Sequence, residues 1–182
     1  MSAAHTWLDL ENRPTEPLPR DLLEQNIERV LTLTNIGFMA TIGKNGPICS
    51  PVEFYSEDMD IYIYPQPNSP KIKALQRDSR MSFAVANPMA GWASAFGCQL
   101  FGDAQLLDPH TPEWVHGMTV FKYPSSNWEV GRPIDTIPQG QLLLLRPDRI
   151  TLTSHFLRRD GYAARQFWDR DPETSIKRNA TI

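Results

Sequence analysis

The chain has 182 residues, of which 41% are hydrophobic and 21% charged, and its formal net charge is -3. This length fits one domain with its own core, and a slightly negative charge gives no general attraction to nucleic acid or to an anionic membrane. No apolar run approaches the roughly 20 residues that a bilayer span requires, and the first residues lack the basic-then-apolar order of a signal peptide. We therefore expect a cytoplasmic protein without nucleic-acid or membrane partners.

The first third of the chain changes from helical to strand periodicity. Residues 20–34 carry apolar side chains at helical spacing, which predicts an amphipathic helix. Lys44-Asn45-Gly46 predicts a tight hairpin, because Asn and Gly both tolerate positive φ, and Ser56-Glu57-Asp58 predicts a second polar turn. Around these turns we predict three antiparallel strands, at residues 38–42, 47–55 and 59–64.

The rest of the chain alternates single helices with strands. We predict a short helix at 69–79, strands at 80–86 and 92–107, a helix at 111–122, a loop at 123–140, and a strand pair at 141–153 broken at Arg146-Pro147-Asp148. Many short strands with single helices between them favour an antiparallel barrel over a parallel α/β sheet. The predicted fold is a mainly β barrel with peripheral helices. It is one domain over residues 1–182, with an arm and helix at 1–35, a barrel core at 36–108 and the remaining elements at 109–182.

Several standard chemical motifs are missing from the sequence. It has no zinc-ligand spacing, no glycine-rich dinucleotide loop, no Walker loop and no serine elbow. A single Glu113-x-x-His116 pair does not make a di-iron site. We therefore predict no metal site and name no catalytic residue. Cys49 and Cys98 lie in apolar surroundings and are expected to be inert core thiols.

The order of motifs between residues 22 and 108 resembles a known family. A helix is followed by Gly-Phe-Met-Ala-Thr-Ile at 37–42, the Asn-Gly turn, Ile-Cys-Ser-Pro-Val-Glu-Phe-Tyr at 48–55, Ile-Tyr-Ile-Tyr at 61–64, the segment 68–83, and a strand ending Phe-Gly-Asp-Ala at 101–104. This order is similar to that of the pyridoxamine 5′-phosphate oxidase-like family of FMN-binding split β-barrels. The resemblance implies an antiparallel Greek-key split barrel, an FMN at the interface of a homodimer, and an oxidoreductase acting on a small molecule.

The resemblance assigns a phosphate site to Asn68-Ser69-Pro70-Lys71. The Ser69 hydroxyl and the Lys71 ammonium would bind the flavin phosphate at the start of a helix. The family often has Ser-Arg-Lys at this point, and the arginine is replaced here by Pro70, which leaves room for Lys73 to contribute. The alternative is a capped surface helix with solvated lysines.

Two strands would contact the flavin along its length. Ser50-Pro51-Val52-Glu53 matches the strand that lies along the isoalloxazine ring in the family and meets its polar edge through backbone groups. Tyr64-Pro65 matches the end of the third strand, beside the ribityl chain and the phosphate. The alternatives are an exposed strand carboxylate at Glu53 and an ordinary strand aromatic at Tyr64.

Four further residues match the family's flavin or substrate contacts. Gln99 would donate a hydrogen bond to the partner subunit's flavin ring, although strand alternation alone also predicts a polar residue there. Trp92 would shape a substrate pocket or fill a core. Near the C-terminus, Trp168 would cover the ring and Arg165 would bind an anionic substrate. The alternative is a packed tail in which arginines stack on aromatic rings.

The resemblance also allows two other functions. A deazaflavin (F420)-dependent reductase uses a similar barrel, and the missing phosphate arginine favours it. Noncatalytic flavin- or haem-binding modules also use barrels that resemble this one. The substrate and the electron donor and acceptor are not identified by the residues.

Overall fold

The structure is a computed structural model that describes residues 13–88 and 91–173. The strands are β1 (Ile36–Gly43), β2 (Gly46–Glu53), β3 (Tyr55–Glu57), β4 (Asp60–Ile63), β5 (Arg80–Ala86), β6 (Phe96–Leu107), β7 (Leu142–Ser154) and β8 (Arg165–Asp169). The helices are α1 (Arg20–Leu31), α2 (Pro70–Leu75), α3 (Pro112–Val120) and α4 (Tyr123–Glu129), with short 3-10 helices at Trp92–Ser94 and His155–Asp160.

The strands belong to one sheet. Their order is β2-β1-β5-β6-β7-β4-β3, and β8 pairs with β7. The pairs β1–β2, β3–β4, β4–β7 and β7–β8 are all antiparallel. The mainly antiparallel β architecture with peripheral helices that the sequence predicts is therefore confirmed.

The chain divides into two compact units. Of the described residues, one unit holds 35–83 and 101–147, and we call it the central unit. The other holds 13–34, 84–88, 91–100 and 148–173, and we call it the terminal unit because it contains both ends of the described chain. Most of the residues predicted to bind the flavin phosphate and ring lie in the central unit.

The β1–β2 hairpin of the central unit is closed by a turn at Lys44-Asn45. Gly43 pairs with Gly46 at its base, which confirms the predicted hairpin. Of Asn45 and Gly46, only the glycine adopts a positive φ, at 127°. At the other end of β1, a Cβ on Gly37 would lie 2.6 Å from Cε1 of Phe83. A glycine is therefore required where β1 passes that ring.

A second part of the central unit is built around helix α3. Thr111 caps this helix by accepting a hydrogen bond from the Trp114 amide at 3.3 Å, and Pro112 occupies its first turn. A Cβ on Gly117 would lie 2.8 Å from the Tyr62 ring, so glycine lets the helix approach the sheet. The buried cluster beneath the helix comprises Tyr62, Leu107, Trp114, Met118, Phe121, Leu142 and Leu144.

Helix α1 and strand β8 form much of the terminal unit. The helix buries four apolar residues, namely Leu23, Ile27, Val30 and Leu31, as its predicted periodicity requires. Before the helix, the Leu18 amide donates a buried hydrogen bond of 2.9 Å to Oε1 of Gln166 on β8. The helix ends at Leu31, three residues earlier than predicted.

The predicted loop at 123–140 contains a helix. Tyr123–Glu129 forms α4, which starts after Lys122 in a left-handed conformation and has Pro124 in its first turn. Proline in the first turn is a helix-start signal, because its missing N–H would have no partner there. Asn127 then ties down the following segment by donating from Nδ2 to the Thr136 carbonyl at 2.6 Å. Composition alone suggested a loop, and that prediction is wrong for these seven residues.

The predicted break at Arg146-Pro147-Asp148 is also wrong, because β7 runs unbroken from Leu142 to Ser154. Its pairing with β4 ends at Leu145, and its pairing with β8 begins at Arg149. Pro147 therefore lies between two hydrogen-bonding ladders, where a strand tolerates a residue without an N–H.

Smaller differences concern turns and strand ends. The predicted strand at 47–55 is divided, because β2 ends at Glu53 and β3 begins at Tyr55. Ser56 and Glu57, predicted to be in a turn, belong to β3, and the turn lies at Asp58-Met59, where both residues have positive φ. The predicted strand at 92–107 begins only at Phe96, after a 3-10 helix. Strand β8 was not predicted. Cys49 is exposed on β2, whereas Cys98 is buried as expected.

Replacing Gly37 by Ala is expected to lower the free energy of unfolding by about 1–3 kcal/mol, because the added methyl group would overlap the Phe83 ring. Urea unfolding measures the change. In a Phe83→Leu background the loss should shrink, since the shorter side chain leaves room. Equal losses in the two backgrounds would contradict this packing.

Candidate functional site

The segment Ser50-Pro51-Val52-Glu53 forms the end of β2, the first strand in the sheet order. Pro51 is exposed, and the other three residues are half-buried. A strand at the end of a sheet leaves a row of backbone N–H and C=O groups without strand partners, and it tolerates proline for the same reason. The strand can therefore offer backbone groups to a ligand, as the family resemblance implies for the flavin ring.

Glu53 is not the exposed carboxylate of the alternative interpretation. Its side chain is half-buried, and Oε1 accepts a hydrogen bond of 3.3 Å from the Tyr55 hydroxyl. Burial raises the pKa of Glu53, and the nearby negative charge of Glu129 raises it further, while hydrogen bonds from Tyr55 and Asn35 act in the opposite direction. The protonated form of Glu53 is thus more accessible than that of a solvated glutamate.

A small pocket of about 160 Å³, which we call the aromatic pocket, lies beside Glu53 and Tyr64. Its other walls come from α3, α4 and the segment after α4, including Phe121, Tyr123, Ser126, Asn127 and Arg132. The Ser126 hydroxyl is buried with no hydrogen-bond partner among the described residues. The pocket therefore combines apolar walls with a carboxyl, a guanidinium and an unsatisfied hydroxyl, a composition typical of small-molecule sites.

Tyr64 is held by a fixed contact within the central unit. Its hydroxyl accepts a 2.9 Å hydrogen bond from the Gly140 amide, and the Trp114 indole donates to the Gly140 carbonyl at 2.9 Å. The hydroxyl keeps its own hydrogen for donation. The Tyr64 residue is also part of the lining of the aromatic pocket. Pro65, the next residue, is buried.

The predicted phosphate residues lie at the start of α2. Ser69 occupies the N-cap position and Pro70 the first helical position, as the sequence predicts. The Ser69 side chain makes no capping hydrogen bond, in contrast to the capped helix of the alternative interpretation. Its Oγ is buried without a hydrogen-bond partner within the described parts of the chain. Such a group is destabilising until a partner is supplied, and Lys71, also half-buried, lies two residues away.

An open cleft of about 460 Å³, which we call the basic cleft, lies between the β1–β2 turn and α2. Its lining includes Lys44 and Asn45 from the turn and Pro70, Lys73 and Arg77 from the helix region. Pro70 connects the cleft directly to Ser69 and Lys71. Lys73 lies on the same helix as Lys71, but it lines this cleft, whose lining does not include Ser69 or Lys71.

Gln99, the predicted contact to a partner's flavin, and Trp92, a predicted substrate contact, lie in the terminal unit. Gln99 is exposed on β6 between buried Cys98 and Leu100, which is also what strand alternation produces. Burial raises the pKa of the Cys98 thiol, so that side chain stays protonated. Trp92 begins a 3-10 helix, and the placement of its side chain lies outside what the structure describes.

The C-terminal pair also belongs to the terminal unit. Trp168 is buried on β8, and its indole N–H donates to Oε1 of Glu24 at 2.8 Å. The guanidinium groups of Arg20 and Arg170 lie over its ring, 5.3 and 5.7 Å from the centroid. These are contacts of the packed tail that was the alternative interpretation. Arg165 is exposed at the start of β8.

Sequence reasoning missed part of both cavities. It did not single out Arg77, although this residue follows Lys73 by one helical turn in the predicted helix 69–79 and therefore shares its face. Lys44 was assigned only to a turn. The walls of the aromatic pocket that come from α4 were missed because residues 123–140 were predicted to be a loop. Pro124 could have indicated this helix, since proline is common in the first turn of a helix.

Comparison with known proteins identifies the family of the chain. The family model for pyridoxamine 5′-phosphate oxidase matches residues 23–154 of the chain. The chain belongs to the pyridoxamine 5′-phosphate oxidase family. That membership confirms the resemblance stated from the order of motifs, and its match covers most of the barrel strands. No curated protein matches the chain.

Solved structures show the same split-barrel fold. A haem-binding protein of Mycobacterium smegmatis is 19% identical with a TM-score of 0.62, over 84% of this chain and 59% of that one. This chain therefore spans about three fifths of that relative's length. General Stress Protein 26 of Bacillus anthracis is 14% identical with a TM-score of 0.57, over 81% of this chain and 98% of that one. A FAD-binding protein of Mesorhizobium loti is 17% identical with a TM-score of 0.54, over 68% of this chain and 86% of that one.

The raised pKa of Glu53 makes a prediction about stability. A carboxyl that binds its proton more tightly in the folded state weakens folding as the pH rises from its ordinary value of 4.5 through the raised pKa. Glu53→Gln keeps an acceptor for Tyr55 and removes the charge. The free energy of unfolding of Glu53→Gln should therefore match that of the unchanged protein at about pH 4 and exceed it at about pH 8.

Urea unfolding at a series of pH values tests this, with Glu28→Gln on the exposed face of α1 as the matched control. A constant difference between Glu53→Gln and the unchanged protein across that pH range would show that burial does not act on this carboxyl.

Proposed function

We propose that this chain is an FMN-dependent oxidoreductase that binds its flavin at the interface of a homodimer and acts on a small molecule in the cytoplasm. The observation that carries the proposal is the buried, unpartnered Ser69 hydroxyl beside Lys71, within a chain of the pyridoxamine 5′-phosphate oxidase family. A flavin phosphate provides acceptor oxygens and negative charge, which this pair lacks within the described residues.

The residues present fit a flavin at both of its ends. Ser69 and Lys71 would hold the phosphate, with Tyr64 and Pro65 beside the ribityl chain, where the Tyr64 hydroxyl has a hydrogen to donate. The backbone of Ser50-Pro51-Val52-Glu53 would meet the polar edge of the ring. Burial raises the pKa of Glu53, so its carboxyl binds a proton more readily than that of a solvated glutamate.

When bound, a flavin supplies the redox chemistry itself. The contribution of the chain is then to bind the phosphate, orient the ring against β2 and exclude water. The aromatic pocket beside Glu53 offers a place for a small substrate, with Arg132 and Ser126 as polar contacts. No side chain of the chain has to act as a general base for this scheme.

An apolar surface on β1 supports the homodimer. Ile36, Phe38 and Ile42 point to the same side of the strand and are 47%, 52% and 45% exposed. Exposed apolar side chains grouped on one strand face are typical of interfaces, and a homodimer would use the same surface of each subunit. In such a dimer we assign Gln99 to the partner's flavin, and Trp92 and Arg165 to the substrate. Trp168 is buried with its indole N–H bonded to Glu24, so we assign it to the packed tail instead of to the flavin ring.

A noncatalytic haem- or flavin-binding protein is the second candidate. The similarity to the haem-binding protein of Mycobacterium smegmatis favours it, and nothing in the proposed site requires a catalytic side chain. A deazaflavin (F420)-dependent reductase is the enzymatic alternative, because Pro70 stands where the family often has a phosphate-binding arginine.

Lys71→Ala is expected to weaken FMN binding about tenfold or more, since a charged hydrogen bond to the phosphate contributes roughly 1.5–3 kcal/mol. Titration followed by flavin fluorescence measures the affinity, and circular dichroism checks that the variant is folded. Arg159→Ala, which removes an exposed cation from the terminal unit, is the control and should bind FMN normally. Unchanged affinity in Lys71→Ala would place the phosphate elsewhere.

Phe38→Lys is expected to convert the dimer to a monomer and to lower FMN affinity in parallel, because each site would lose the residues of its partner. Sedimentation velocity and FMN titration on the same sample measure both effects. Phe156→Lys changes a similarly exposed aromatic residue, 46% exposed, and should leave both properties intact. A monomeric variant that retains full FMN affinity would refute the shared site.

A further inference from the structure

The polar side chains of the aromatic pocket are mostly hydrogen-bond donors. Arg132 lines the pocket and forms no ion pair with any residue that the structure describes. Its backbone amide donates to the Asn127 carbonyl at 2.8 Å, which holds this residue beside α4. The Ser126 hydroxyl is buried with no partner among the described residues, and the Tyr64 hydroxyl accepts from the Gly140 amide and keeps its own hydrogen. Three lining residues therefore carry polar hydrogens that no described residue accepts.

Glu53 is the one acid among the residues that line the pocket. Its Oε1 already accepts a hydrogen bond from the Tyr55 hydroxyl, and burial and the nearby charge of Glu129 raise its pKa. A protonated Glu53 would be a further donor. The pocket therefore suits a ligand that accepts hydrogen bonds and carries negative charge, whereas a cationic ligand would find only a carboxyl that binds its own proton more readily than usual.

The remaining walls of the pocket are apolar and in part aromatic. They come from Met118 and Phe121 at the end of α3, Tyr123 at the start of α4, and Val130 and Pro138. Aromatic rings favour a flat apolar partner, which packs against their faces or edges. The volume of about 160 Å³ is smaller than the roughly 300–1,000 Å³ of typical ligand sites, so the pocket fits a molecule of about one ring.

We propose that the aromatic pocket binds a small carboxylic acid with a flat apolar body, such as an aromatic monocarboxylate. The Arg132 guanidinium contacts the carboxylate, the Ser126 hydroxyl donates to it, and the body packs against Phe121 and Tyr123. A carboxylate accepts several hydrogen bonds at once and gives the buried hydroxyl its missing partner. That this acid is the substrate rests on the proposed function, whereas its chemical class rests on the pocket alone.

Calorimetric titration with three ligands of similar shape tests the class of the ligand, on the full chain with and without FMN. Benzoate is negative, benzamide is neutral and benzylamine is positive. Benzoate should bind about tenfold or more tightly than either of the others, because only the anion forms charged hydrogen bonds with the donors of the pocket. Tighter binding of benzylamine, equal binding of all three, or no binding would overturn the inference.

Two variants locate the carboxylate. Arg132→Gln should weaken benzoate binding about tenfold and change benzamide binding less than about twofold. Ser126→Ala should weaken benzoate binding about threefold or more, yet without ligand it should unfold at the same or a higher urea concentration, because it removes a buried group that has no partner. Arg159→Gln, an exposed charge in the terminal unit, is the control and should change neither property. A loss in Arg165→Gln but not in Arg132→Gln would place the anion at the other arginine assigned to the substrate and overturn the inference.

FMN titration of the same samples separates this inference from the proposed function. If FMN binds and benzoate does not, or if both variants bind benzoate as the unchanged protein does, the carboxylate site is refuted and the flavin-binding function stands. If benzoate binds as expected and FMN does not bind, the carboxylate site stands and the proposed function fails.

Discussion

A buried hydroxyl without a hydrogen-bond partner is destabilising, and the structure has one at Ser69, directly before α2. The desolvation of such a group costs about 1–3 kcal/mol when nothing replaces water. Its neighbour Lys71 is half-buried, and the helix face beyond it carries two further cations. The proposed phosphate site rests on this buried hydroxyl and on the cations that follow it along the chain.

The sheet and its glycines hold the rest of the site around this point. Gly37 lets β1 pass the Phe83 ring, and β1 carries β2, whose outer edge is proposed to meet the flavin ring. Gly140 lies against the Tyr64 hydroxyl, where a Cβ would be 2.5 Å away, and this contact fixes the tyrosine at the end of β4. These close contacts constrain the positions of β1 and of the Tyr64 side chain.

Much of the fold could be predicted because local signals and tertiary structure agree. Strand β5 begins and ends at the residues predicted from its sequence pattern, and the Asn-Gly sequence correctly predicted the first hairpin. The wrong predictions came where a proline was taken as a sign of a loop or a break, without regard to its position in a helix or a strand. Pro124 was counted as a loop residue although it starts a helix, and Pro147 was counted as a break although it lies between two strand pairings.

The candidate site was predictable only in part. The motif order located Ser69 and Lys71, but no local pattern brings Lys44 beside Lys73 and Arg77, because that contact depends on how the hairpin meets α2. Glu53 shows the same limit, since its pKa is raised by burial and by the charge of Glu129, which lies in a distant segment of the chain. Trp168 was recognised as an aromatic residue among cations, yet its contact with Glu24 depends on the packing of α1 against β8.

The most direct test of the account is the absorption spectrum of the purified protein, followed by identification of whatever is released on denaturation. The account predicts the absorption bands of an oxidised flavin and a released flavin phosphate in stoichiometric amount. A haem absorption band, or a colourless protein that takes up no added flavin, would contradict it.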